Sequence, residues 1–64
     1  MLVRLEQIKG EDDLFLVVDE INRYLGKVIG FHFAECMADT EAIEEDGYVF
    51  WTVDKKCLNK ILLK

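Results

Sequence analysis

The chain predicts a small two-layer α+β domain, with a three- or four-stranded sheet packed against two helices. Three observations point there. Apolar runs of strand length alternate with polar turns, two aspartates stand where a helix can be capped, and 52% of the residues are hydrophobic with no proline. Such a composition argues against intrinsic disorder. Sixty-four residues make one domain, spanning 1–64. A chain of this size buries only ~60% of the surface that its unfolded form exposes. It therefore needs reinforcement from a disulfide, a metal, a partner or a second copy.

Leu2 to Ile8 reads as the first strand, because Val3 and Leu5 share one side while Arg4 and Glu6 share the other. Lys9-Gly10-Glu11-Asp12-Asp13 is then a polar turn. Five consecutive large apolar residues, Leu14 to Val18, favour a buried strand. Positions 14, 17, 18, 21 and 25 would also share one side of a helix, so a helical alternative stands beside the strand. On the strand reading, Asp19 caps a short helix that buries Ile21, Tyr24 and Leu25 and ends at Gly26.

Val28 to Met37 reads as a further strand, with Ile29, Phe31 and Phe33 facing one way and Gly30, His32 and Ala34 the other. The acidic segment 38–46 reads as a long connection with room for a helical turn after Asp39. Gly47 closes it, and Tyr48 to Val53 forms an aromatic and β-branched strand. Asp54 then caps a last helix whose apolar stripe is Cys57, Leu58, Ile61 and Leu62. The segments Leu14 to Asp19 and Val49 to Asp54 echo each other, each an apolar run closed by a Val-Asp step before a helix. The resulting order is ββαββα, or βαββα if Leu14 to Leu25 is one helix. Either places a sheet against helices.

Charge is the most distinctive feature. Glu11, Asp12, Asp13, Asp19 and Glu20 form one acidic segment, and Glu35, Asp39, Glu41, Glu44, Glu45 and Asp46 form a second that contains no lysine or arginine. The sign reverses at the end, where Lys55, Lys56, Lys60 and Lys64 outnumber Asp54. A formal net charge of -5 disfavours direct nucleic-acid binding, which depends on cations neutralising phosphates. It equally disfavours an anionic membrane surface. No apolar stretch approaches the ~20 residues that span a bilayer, and no secretory leader pattern is present. The expectation is cytoplasmic residence with Cys36 and Cys57 reduced.

Catalysis has little support. On a strand, His32 and Cys36 would stand about 13 Å apart at ~3.3 Å per residue, too far for a nucleophile and its base. Zinc binding by His32, Cys36, Cys57 and a carboxylate lacks the paired cysteine spacing of structural sites. Cys57 on an apolar helical stripe reads instead as a small hydrophobe. No phosphate-binding loop, calcium loop or metalloprotease motif occurs, and no metal or cofactor is expected.

The acids read as solvated surface or as a docking patch. In the second case they create a negative face that steers a basic partner, including a nucleic-acid-binding protein whose phosphate site they occupy in the manner of DNA. The residues expected to carry this contact are Glu11, Asp12, Asp13, Glu41, Glu44, Glu45 and Asp46, with Trp51 as an apolar anchor. The predicted function is thus non-enzymatic binding or inhibition through a basic surface of a protein partner. The alternative is a structural protein that self-associates as a homodimer through its strands, because aromatic residues occur on both sides of the strand segments.

Overall fold

The computed structural model describes residues 1–38 and 41–63. Its elements run β1 (Leu2–Gln7), β2 (Leu14–Asp19), β3 (Tyr24–Ile29), α1 (Gly30–Glu35), β4 (Ile43–Glu45), β5 (Tyr48–Thr52) and α2 (Lys55–Ile61). The two-layer α+β class holds, with two helices and five strands in the order β3-β2-β1-β5-β4. Every neighbouring pair is antiparallel. The sheet stays open rather than closing into a barrel.

Alternation along the strands explains which face the helices cover. Val17 stands opposite Leu5 across β1–β2, and Phe15 stands opposite both Gln7 and Val28. Val3 stands opposite Trp51 across β1–β5. Since side chains alternate with a period of two, Val3, Val17 and Val28 share one face. They are fully buried there, in a cluster with Val53, Phe33 of α1 and Leu58 of α2. Truncating a side chain as enclosed as Leu58 to alanine costs about 2–5 kcal/mol. The other face carries Leu2, Arg4, Leu16, Val18, Tyr48 and Phe50, and neither helix contributes to it.

The structure corrects the expected order to βββαββα, for three local reasons. Asp19 does not cap a helix. Its Oδ1 accepts the N–H groups of Ile21 and Arg23, and Asn22 takes a positive φ of 65°. That tight turn sends Tyr24 to Ile29 back along β2 as a strand. Next, 28–37 is not one strand. The chain leaves the sheet at Ile29, and Gly30 enters α1 with its N–H donated to the carbonyl of Asp13 at 2.8 Å. A Cβ at Gly30 would lie 2.7 Å from Cε2 of Phe15, so only glycine passes this close to the ring. Finally, the acidic connection contains strand β4, paired to β5 through Ile43–Phe50 and Glu45–Tyr48. The helical turn expected after Asp39 begins outside the described residues.

The last helix agrees with expectation, since Asp54 Oδ1 accepts the N–H of Lys56 at 2.9 Å. The cysteines do not. Cys36, at the C-cap of α1, is bonded to Cys57 in the first turn of α2, with Cα atoms 5.5 Å apart. The expectation of two reduced thiols is overturned, because the helical turn at 30–35 swings Cys36 out of the sheet plane and under α2. A covalent staple between the two helices supplies reinforcement that a core this small needs. No helix among the described residues is long and apolar enough to cross a membrane.

Candidate functional site

On the helix-free face, the turn between β2 and β3 and the turn between β4 and β5 border a cavity of about 350 Å³. Leu2 and Arg4 of β1 form its centre, with Tyr48 and Phe50 of β5 beside them. Glu20 and Asn22 come from the first turn, and Glu45 and Asp46 from the second.

Local chemistry fixes both turns. In the first, the buried Asp19 carboxylate holds the backbone of Ile21 and Arg23, and its Oδ2 accepts Nε of Arg23 at 2.7 Å. Burial is the largest single influence on this carboxyl and would raise its pKa. The amide and guanidinium of Arg23 and the amide of Ile21 together outweigh it, holding the group below the usual carboxylate value. In the second turn, Asp46 and Gly47 both adopt positive φ, 54° and 83°, which suits a two-residue hairpin connection.

Arg4 ties the walls together. Its side chain is nine-tenths buried. Nη1 donates to Oδ1 of Asn22 at 2.7 Å, while Nη2 and Nε donate to Oε1 of Glu6 at 3.1 and 3.3 Å. The guanidinium also lies 4.3 Å from the centre of the Tyr48 ring, within reach of a cation–π interaction. Glu6 balances the charge of Arg4. Glu20, Glu45 and Asp46 have no cation paired with them among the described residues. The cavity is therefore negative, with an apolar and aromatic floor.

The expected site residues divide among several places. Glu45 and Asp46 line this cavity, whereas Glu44 stands opposite Val49, on the alternate side of β4. Glu41 is exposed ahead of β4. Glu11, Asp12 and Asp13 border a separate open depression with Leu14 and Ile29. Antiparallel pairing sends the 8–13 connection and the Asp46–Gly47 turn from the same end of the sheet, yet the acids do not gather into one patch. Trp51 is half-buried against the core on the helix side. The aromatics at the cavity are Tyr48 and Phe50.

Leu2, Arg4, Asn22, Tyr48 and Phe50 were not among the expected contact residues. Arg4 carried one signal, a cation on the same side of the strand as Glu6, but its burial depends on Asn22 and Tyr48, which strand pairing brings to it. His32 lies on α1 with Nδ1 3.7 Å from Oε2 of Glu35, rather than along a strand with Cys36. Among the described residues, no group of three or more histidine, cysteine and acidic side chains is placed to hold a metal ion. No protein-family model matches the chain, and no curated protein or solved structure matches it.

Proposed function

We propose that this protein is a non-enzymatic binding module that docks its acidic, helix-free sheet face on a basic surface of a partner protein. One observation carries the reading: carboxylates from both acidic segments, Glu20 from the first and Glu45 and Asp46 from the second, converge on one cavity walled by Tyr48 and Phe50. Uncompensated charge steers a cationic partner and excludes anionic ones. Desolvation of the aromatic floor supplies the affinity, as buried aromatic anchors do at interfaces. A nucleic-acid-binding protein fits the role of partner, since its phosphate-contacting groups are cationic, and docking there would inhibit it.

Self-association through strand edges has less support. The outer edge of β3 is partly paired by Leu63, whose N–H donates to the carbonyl of Lys27 at 2.8 Å. The opposite edge, β4, is only three residues long, and two of them are glutamates. Short, charged edges resist pairing with another chain.

The test is capture from lysate by tagged protein, comparing wild type with a Glu20→Gln/Glu45→Gln/Asp46→Asn variant at low and moderate salt. A dominant basic partner that wild type retains and the variant loses supports the reading. Equal capture by both proteins removes these carboxylates from the function.

A further inference from the structure

Neither helix covers the second sheet face, and three of its large side chains, Tyr24, Ile43 and Tyr48, are 59%, 44% and 47% exposed. Tyr24 pairs with Val18, while Ile43 pairs with Phe50, so they extend the apolar floor to either side of Arg4. This surface has Arg4, already paired with Glu6, at its centre, apolar and aromatic ground beside it, and carboxylates without a paired cation, Glu20 from one turn and Glu45 and Asp46 from the other, along the rim of the cavity. We infer that it seats an extended, arginine-bearing segment of a partner protein, with one cationic side chain entering the cavity. The inference rests on the acidic-docking reading and names the ligand of that site.

Size and charge select the occupant. About 350 Å³ lies at the lower end of the ~300–1,000 Å³ typical of ligand sites, suited to one long side chain. Its stem packs on Leu2, Phe50 and Tyr48, and its charged end reaches Glu20, Glu45 and Asp46, the usual division of an amphipathic cation. Arginine suits the site better than lysine, because a planar fork serves two carboxylates at once. A second copy of this chain fits poorly. Its Arg4 is already balanced by Glu6, and two such faces would oppose the same three carboxylates. The buried Arg4 holds Asn22 and Tyr48 in place before any ligand arrives, so these two wall residues add little ordering cost on binding.

The test is NMR titration of the ¹⁵N-labelled full chain with a capped pentapeptide alternating leucine and arginine, and with its citrulline counterpart. Expected are shift changes concentrated at Glu20, Asn22, Asp46 and Tyr48, with citrulline weakening binding at least about tenfold. Glu20→Gln/Asp46→Asn should weaken the arginine peptide comparably, while Glu44→Gln, a charge loss on the other side of β4, should leave it unchanged. Both variants must keep the wild-type amide spectrum, which separates lost binding from lost fold. Shift changes at Glu11, Asp12 and Asp13 instead would overturn the cavity assignment and leave acidic docking standing. Binding of neither peptide would overturn the arginine-bearing segment as occupant, while acidic docking stands or falls on the capture experiment. Peptide-free, concentration-dependent shifts at the cavity would give the face to a second copy and overturn the chosen occupant.

Discussion

The guanidinium of Arg4 sits 4.3 Å from the ring centre of Tyr48, which joins the central strand to the β4–β5 hairpin. The same guanidinium donates to Asn22 in the opposite wall at 2.7 Å. A single buried cation therefore ties the β2–β3 turn, at Asn22, to strand β5, at Tyr48. Removing it by Arg4→Met should cost about 2 kcal/mol, the scale of a charge-assisted hydrogen bond together with a cation–π contact. Arg4→Lys should recover less than half of that loss, since an ammonium cannot serve Glu6 and Asn22 while stacking on a ring. Urea midpoints for both variants check this; a lysine variant as stable as wild type would reduce the tie to charge alone.

Asp19 gives a pH signature. Its carboxyl is held below the usual value despite burial, because Arg23 and Ile21 donate to it. A folded-state pKa below the unfolded one means the stabilisation is complete above the unfolded carboxylate pKa and is lost as pH falls through the folded one. Asp19→Asn should thus be less stable than wild type at neutral pH. The gap should narrow on acidification and be smallest below the folded-state pKa. Stability curves for both proteins from neutral to strongly acidic pH would show it, and a gap independent of pH would assign the loss to packing rather than ionisation.

Asp19 also shows where the sequence stops being readable. Asp19 and Asp54 begin alike: each follows Val, and each carboxylate accepts the N–H of the residue two further on, Ile21 or Lys56. One continues as a helix and the other as a hairpin. The difference lies in Asn22, which accepts a left-handed φ, and in Arg23, whose carbonyl accepts the N–H of Asp19 to close the ladder. Both come from pairing that a local pattern does not contain. The strands Leu2–Gln7 and Tyr48–Thr52 were legible from their β-branched and aromatic runs, and Leu14 to Val18 was legible as the favoured of two readings, with Asp19 misassigned to a helix cap. α1 was not. Phe31 and Phe33 alternate like strand residues, but in a six-residue helix one is buried and the other is 75% exposed. β4 is exposed at all three positions, so no alternation marks it. Of the seven acids expected at a contact, Glu45 and Asp46 line the cavity, whereas the presence there of Glu20, Arg4 and Tyr48 depends on strand order.

Gly26 offers a direct test of how β3 meets α2. It is buried at φ 149°, and a Cβ there would lie 3.1 Å from Cδ2 of Leu62. Gly26→Ala should destabilise by about 1–3 kcal/mol through backbone strain and overpacking. Gly10 shares a positive φ of 86° but has nothing within 4 Å of its Cβ position, so Gly10→Ala should cost only the conformational part, about 1 kcal/mol. Thermal melts of the two variants compare them; equal losses would mean that Leu62 moves aside freely.

Reduction should have the largest effect. The Cys36–Cys57 bond closes a loop with a sequence separation of 21, for which loop-closure entropy gives about 3 kcal/mol of stabilisation. In a domain this small that is a large share of the total. Urea unfolding followed by Trp51 fluorescence, with and without a phosphine reductant, should show the reduced protein unfolding at markedly lower urea. A Cys36→Ala/Cys57→Ala variant should fall near the reduced form and ignore the reductant. If reduced and oxidised midpoints coincide, the core built on Val3, Val17, Val28 and Leu58 suffices without the staple. If the reduced form is unfolded outright, arginine-peptide binding should vanish with it, and the binding face would be available only where disulfides persist.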